Sequence, residues 1–228
     1  MIKKIAVIAA AGSGIRMGSS IPKQFLLLLN KPVLWHSLAA FQNAFEDIEI
    51  LLVVAREHFV MAEKIRSSSA IPENIKLVAG GKTRFESVRN GLGNIIAKEA
   101  IIFVHDGVRC LVSPALIRRC FEKACEMGNA IPAVAPVDSV RMETAEGNNS
   151  VQRDKVKLIQ TPQTFHIDII KSAFQQDYQE SFTDEAVVVE RAGIKINLIE
   201  GEAANIKITT PMDLAIAEHL LSSKVGMR

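Results

Sequence analysis

The chain has 228 residues, 48% of them hydrophobic and 23% charged, with a formal net charge of +2. That length suits one α/β domain, here residues 1–228, with enough chain to bury a substantial core. The near-neutral balance, with lysines and arginines scattered rather than striped, argues against a nucleic-acid-binding surface. Met1-Ile-Lys-Lys4 opens the chain and seven apolar residues follow, Ile5 to Ala11. So short a run reads as a buried strand rather than a secretory leader. Nowhere does an apolar run approach the roughly 18 residues of a membrane span. The first strand breaks into Gly12-Ser-Gly-Ile-Arg16-Met-Gly18, then Pro22-Lys23-Gln24. Glycines after a strand let backbone N–H groups close around phosphate oxygens, and Arg16 and Lys23 would answer the negative charge. The competing reading is a tight strand-to-helix turn. Two familiar glycine loops are excluded: the spacing is one residue too long for a dinucleotide turn, and Lys76 stands where a P-loop ending in Gly81-Lys82-Thr83 needs its first glycine.

Apolar runs at 5–10, 48–55, 75–79, 101–105, 130–135 and 195–199 predict strands. Amphipathic stretches at 32–45, 57–67, 84–96, 114–127, 168–176 and 184–192 predict helices, and a last helix starts near Pro211 behind Thr209 and Thr210. The alternation predicts an α/β, Rossmann-like, mostly parallel twisted sheet with helices on both faces. Chemistry is then expected beyond the carboxyl ends of the strands. After the third strand, Gly80-Gly-Lys-Thr-Arg-Phe-Glu-Ser87 would let backbone approach a flat base with Ser87 at its edge, or is simply a loop and helix cap. The fourth strand ends His105-Asp-Gly-Val-Arg109, where Asp106 either meets a divalent cation on a triphosphate or caps a turn beside a packed His105. Cys110, Cys120 and Cys125 form an odd set without a C-x-x-C pair, which argues against a disulfide framework and a structural zinc, and for a reducing cytoplasm. Residues 139–160 break the rhythm: a polar hairpin arm, with turn residues at Gly147-Asn-Asn149, that needs outside packing, either as a mobile excursion or against another chain. Arg153 in that arm and Lys207 in Asn205-Ile-Lys-Ile-Thr209 read singly as solvated charges. Thr161 and Thr183 are hydroxyls at loop edges, and His36, His58, His166 and His219 carry no role.

Taken in order, Ala10-Ala-Gly-Ser-Gly-Ile-Arg-Met-Gly18, Pro22-Lys-Gln24, Gly80 to Val88, His105 to Arg109, Pro136-Val-Asp-Ser139, Gln160-Thr-Pro-Gln163, Thr183-Asp-Glu-Ala186 and Asn205 to Thr209 resemble the 2-C-methyl-D-erythritol 4-phosphate cytidylyltransferase family of the non-mevalonate isoprenoid pathway over nearly the whole chain. The resemblance implies that Ala10, Ala11, Gly12, Ser13 and Gly14 wrap the phosphates of CTP, with Arg16 and Lys23 as catalytic cations. It implies that Gly80, Gly81, Arg84 and Ser87 hold the cytosine end, and that Asp106 lies near Mg²⁺ and the substrate hydroxyls. Arg109, Ser139, Thr161 and Thr183 would contact the methylerythritol phosphate, and Arg153 and Lys207 would orient its phosphate. It further implies a homodimer that exchanges the arm, and neither nucleic-acid nor membrane partners. The family commonly reads His-Asp-Ala-Ala-Arg-Pro at the aspartate; Gly107 and Cys110 depart from it and predict a looser turn around Arg109. Ribitol 5-phosphate cytidylyltransferases have a similar loop and arm, and His-Asp-Gly-Val-Arg drifts toward them. A CTP-binding regulatory protein without turnover is the alternative from another class.

Overall fold

The structure is a computed structural model that describes residues 2–12, 21–67 and 74–225. Its first strand, β1 (Lys3–Ala9), divides its side chains between two cores: Ala6 and Ile8 face one, Ile5 and Val7 the other. A strand apolar on both sides must be covered on both sides, and this one is. The remaining strands are β2 (Leu27–Leu28), β3 (Lys31–Pro32), β4 (Glu49–Val54), β5 (Ile75–Ala79), β6 (Ala100–Asp106), β7 (Asn129–Val134), β8 (Val140–Thr144), β9 (Gly147–Val151), β10 (Leu158–Ile159), β11 (Gln163–His166) and β12 (Leu198–Glu200). The helices are α1 (Val33–Ala44), α2 (Phe59–Arg66), α3 (Arg84–Gly93), α4 (Pro114–Met127), α5 (Ile167–Ala173), α6 (Glu185–Arg191) and α7 (Pro211–Val225).

β5, β4, β1 and β6 form a parallel core in that order. β11 then runs antiparallel between β6 and β7, so β7 again points the same way as β6, and β12 joins β7 in parallel. Helices α1, α2 and α4 cover one face around Leu34, Leu38, Phe41, Ile65, Leu116 and Ile117. Helices α3, α5 and α6 cover the other around Phe85, Val88, Leu92, Ile170, Phe174 and Val188. α7 closes a smaller third cluster with Leu28, Val33, Val108 and Ile208. The predicted strands and helices all form. Local signals set their ends: Ser113 caps α4 with Pro114 in its first turn, and Gly128 stops it in the left-handed region at φ +83°.

Two features depart from the sequence reading. The segment around 158–166 belongs to the sheet, although its composition suggests a loop. Leu158 and Ile159 pair with β7, Gln160 N–H donates to the Pro132 carbonyl at 2.8 Å, and the strand resumes as β11 past a cis Thr161–Pro162 bond. Gln160, Thr161, Gln163 and Thr164 are buried polar residues, which is why hydrophobic periodicity does not reveal a strand there. The arm is accordingly shorter than 139–160: a two-stranded hairpin, β8–β9, spans 140–151, and a single 3-10 turn follows at Arg153–Lys155. Its turn lies at Ala145 and Glu146 rather than at Gly147-Asn-Asn149. Gly147 (φ +133°) opens β9, and Asn148 turns its side chain across the hairpin to accept from Arg141.

Candidate active site

The parallel strands deliver their carboxyl ends to one edge, and three loops leave that edge together. Ala10 N–H donates to the Val53 carbonyl at 2.8 Å, Gly80 N–H to Val54 at 2.8 Å and Gly107 N–H to Ala9 at 2.9 Å. Between the loops lies a cavity of about 510 Å³. Of the residues singled out in the sequence, Ala10, Ala11, Gly12, Lys23, Gly81, Arg84, Ser87, Asp106 and Lys207 line it. Ser13, Gly14 and Arg16 lie outside the described residues.

Asp106 is the electrostatic centre. It ends β6 inside the protein, and each of its oxygens meets a cation. Oδ1 accepts from Arg84 Nη2 at 3.0 Å and Nε at 3.3 Å; Oδ2 accepts from Lys207 Nζ at 2.8 Å, with Arg109 Nε at 4.0 Å. Burial alone would favour the neutral acid, but Arg84, Lys207 and Arg109 hold the carboxyl well below the usual carboxylate range. Arg84 also gives Nη1 to Glu185 Oε1, so two carboxylates share one guanidinium. Burial opposes its charge, yet Glu185 and Asp106 raise its pKa above the ordinary arginine value. On sequence alone Glu185 carries no role. The available signal was its place on α6: Glu185 sits on the same face as Val188 and Val189, and an acid on a buried apolar face needs a cation.

Behind Asp106 runs a chain of hydrogen bonds that fixes the tautomer of a buried histidine. The Arg109 carbonyl can only accept, so at 3.3 Å His105 Nε2 carries the proton. Nδ1 therefore accepts from the Thr161 hydroxyl at 3.0 Å, and that hydroxyl oxygen accepts from Asp106 N–H at 3.1 Å. Desolvation keeps His105 neutral, its pKa pushed down to about 3, and its ring meets Phe41 edge-on at 5.1 Å. Thr161 is thus a buried support of the Asp106 backbone and does not line the cavity. Nor does Gly107 loosen this turn. Its carbonyl accepts from Ser37 Oγ at 2.9 Å, and a Cβ there would stand 2.9 Å from Leu34 Cδ1 and 3.2 Å from Ala10 Cβ. Cys110 is buried in the third cluster, so packing holds the turn without a proline.

Lys23 and Lys207 come from opposite ends of the chain and meet on one segment. Lys23 Nζ donates to the Ile208 carbonyl at 2.8 Å, next to Lys207. Ile208 N–H donates to the Val108 carbonyl at 3.0 Å, and buried Asn205 gives Nδ2 to the Thr161 carbonyl at 2.9 Å, which docks that segment beside Asp106. Gln24, which the sequence reading quoted without a role, is fully buried and donates Nε2 to the carbonyls of Ala10 at 2.8 Å and Gly12 at 3.0 Å. It ties the Lys23 turn to the first loop. On the third side, Thr83 caps α3 through Glu86 N–H at 3.1 Å, and Glu86 Oε2 reaches back to Lys82 N–H at 2.6 Å, a variant of the capping box. Ser87 Oγ donates to the Thr83 carbonyl at 2.9 Å and accepts from Gly81 N–H at 3.0 Å. A Cβ on Gly80 would stand 2.5 Å from Ala11 Cβ, so the glycine lets the first and third loops touch.

Four of the predicted residues stand apart. Arg109 commits Nη1 to the Asn205 carbonyl at 2.8 Å and Nη2 to Ile159 at 3.3 Å, and burial lowers its pKa. Ser139 and Thr183 are exposed and do not line the cavity. Arg153, also exposed, donates Nη1 to the Val137 carbonyl at 2.7 Å, at the base of the arm.

The profile of the family described as 2-C-methyl-D-erythritol 4-phosphate cytidylyltransferase matches residues 4–223. A protein of that description from Bacteroides fragilis is 42% identical over 218 residues, covering 96% of this chain and 99% of the relative. One from Syntrophus aciditrophicus is 41% identical over 229 residues, covering 98% of both. The crystal structure of 4-diphosphocytidyl-2C-methyl-D-erythritol synthase from Anaerococcus prevotii superposes with a TM-score of 0.84 at 27% identity, covering 97% of this chain and 99% of that one.

Proposed function

The chain belongs to the 2-C-methyl-D-erythritol 4-phosphate cytidylyltransferase family, and we propose that the cleft at the carboxyl edge of its sheet is where CTP meets the sugar-alcohol phosphate. The protein is a nucleotidyltransferase of isoprenoid precursor biosynthesis: it joins CTP and 2-C-methyl-D-erythritol 4-phosphate into 4-diphosphocytidyl-2-C-methyl-D-erythritol and releases pyrophosphate. A phosphate oxygen of the sugar alcohol attacks the α-phosphorus of CTP. The new P–O bond forms as the α–β bridging P–O bond breaks, and pyrophosphate leaves with the electron pair. Both reactants are anions and the attacking phosphate is ionised near pH 7, so the site needs cations and fixed donors more than a base.

The observation that carries this reading is the meeting of Lys23 and Lys207 on one segment beside Asp106. Lys23, on the side of the glycine loop, stabilises charge at the α-phosphate together with Arg16. Lys207 rests on Asp106 but is 39% exposed, and it turns from that carboxylate to the incoming phosphate. The loop main chain at Ala10, Ala11 and Gly12 faces the triphosphate, and Gly80, Gly81 and Ser87 face the base. Arg109 and Thr161 act on the alcohol end through Asp106, the one beside its carboxylate and the other at its N–H. Asp106 supplies a single carboxylate, and among the described residues no group of three or more His, Cys, Asp or Glu side chains gathers as a metal cage. Arg84 and Lys207 occupy the two Asp106 oxygens, so Mg²⁺ would be held chiefly by the CTP phosphates, with Asp106 beside it. When bound, Mg²⁺ neutralises part of the triphosphate charge and fixes its shape.

The hairpin supports a homodimer. It stands away from the core, its neighbourhood exposes Val137, Met142 and Leu158, and Ser139 and Arg153 would serve the partner's cleft. Among the described residues no helix is long and apolar enough to cross a membrane. Cys110, Cys120 and Cys125 are all free thiols, which suits a cytoplasmic setting. The test is pyrophosphate release with CTP and Mg²⁺, offering methylerythritol phosphate and ribitol phosphate in parallel. Turnover with the first is expected. Turnover with ribitol phosphate alone would overturn the substrate, and CTP binding without turnover on either would favour a regulatory role.

A further inference from the structure

Arg84 opens α3, where a positive charge faces the positive end of the helix dipole and gains nothing from it. Its placement must come from the carboxylates that receive it. The guanidinium divides its edges: Nε and Nη2 point to one oxygen of Asp106, and Nη1 points to Glu185 Oε1. Glu185 is 1% exposed, and its second oxygen is buried without a hydrogen-bond partner. A buried carboxylate with an orphaned oxygen is an expensive way to build a helix start, because burial disfavours the charge. The fold nevertheless anchors it. Gln163 Oε1 on β11 accepts from Ala186 N–H at 2.7 Å, and β11 is paired to β6, the strand that carries Asp106. Glu185 and Asp106 are therefore registered to each other through the sheet, with Arg84 between them.

We propose that Glu185 is a positioning residue for the transfer site. It holds one edge of Arg84 so that the other edge stays on Asp106 Oδ1. This keeps the arginine out of the phosphate end of the cleft and leaves Oδ2 facing Lys207 and the incoming substrate. Arg84 then acts as a tie between α3, β6 and α6 rather than as a ligand of the triphosphate. Without Glu185, a guanidinium bordering a cleft built for anions swings toward the phosphates, and Asp106 loses its orientation.

The kinetic consequence rests on the transferase reading; the structural one does not, so the two can fail separately. Crystal structures of Glu185→Ala and Glu185→Gln provide the first readout. Arg84 should leave Asp106 in the alanine variant and stay in the glutamine variant, whose amide oxygen still accepts from Nη1. Steady-state kinetics provide the second. Glu185→Ala should lose roughly 10- to 100-fold in kcat/KM, the scale of one charged hydrogen bond, and Glu185→Gln should recover most of that loss at an equal thermal midpoint. If Arg84 remained on Asp106 in the alanine variant, or if glutamine and alanine were equally impaired, Glu185 would be a packing residue and the inference would fall.

Discussion

At the residue scale, Lys23 carries the sharpest prediction. Its side chain lines the cleft, and its ammonium donates to the Ile208 carbonyl at 2.8 Å. Replacing Lys23 with alanine removes a donor aimed at charge that develops on the α-phosphate. Turnover should then fall by at least ~10²-fold, the scale for one transition-state donor. The variant should unfold at a near-normal temperature, because its main-chain turn and Gln24 remain. Pyrophosphate release at saturating substrates checks this, and near-normal kcat would remove Lys23 from the mechanism. Lys23 was legible as a cleft cation because it follows a glycine turn at a strand end, whereas Lys207 read singly as a solvated charge and only the family resemblance pointed it toward the substrate. The buried partners around them were not legible. Thr161 looked like a loop hydroxyl and is a buried acceptor for Asp106 N–H. Glu185 looked like an acid at a helix start and is a buried partner of Arg84. Local sequence says that a residue is polar; only the register of distant strands says which atom it meets.

At the scale of elements, the start of α7 shows how a helix cap reaches the chemistry. Thr210 Oγ1 accepts from Asp213 N–H at 3.3 Å, and Asp213 Oδ2 answers by accepting from the N–H and hydroxyl groups of both Thr209 and Thr210 at 2.6–2.9 Å. Those bonds hold the Asp213 carboxyl at about 2 against the opposing effect of desolvation. The capped segment continues directly into Ile208 and Lys207, so the cap sets where Lys207 begins. Asp213→Ala should lower stability by about 1 kcal/mol and raise KM for the sugar-alcohol phosphate more than KM for CTP. Urea unfolding and the two KM values check it; a stability loss that left both KM values unchanged would confine Asp213 to a structural role. The cap itself was readable from Thr209, Thr210 and Pro211. The strand at β10–β11 was not, since its polar residues are buried by bonds to other elements rather than by hydrophobic periodicity. Gln160, for example, bonds the main chain of Glu202 through both Oε1 and Nε2.

At the scale of the whole molecule, a cleft made for anions stands over a core that must keep buried groups in fixed charge states, and this makes stability depend on pH. His105 is neutral in the folded protein, its pKa pushed down to about 3, whereas an unfolded chain takes up the proton near 6.5. Between those values the unfolded state binds more protons, so stability falls as pH falls, starting near 6.5. Burial lowers the pKa of His36 too, with the same sign. Asp106 and Asp213 have depressed pKa values, so their contributions are present above the ordinary carboxylate range and fade only at lower pH. Glu185 has the opposite sign: its carboxyl is raised by burial, so folding is favoured as it protonates. From about pH 7 to about pH 5 His105 alone should remove roughly 2 kcal/mol. Urea unfolding across that interval should show a falling midpoint. His105→Asn, which cannot titrate, should be weaker at the start of the interval and decline less across it. A slope equal to that of the unaltered protein would mean that His105 does not set the acid limit, and would shift that role to His36.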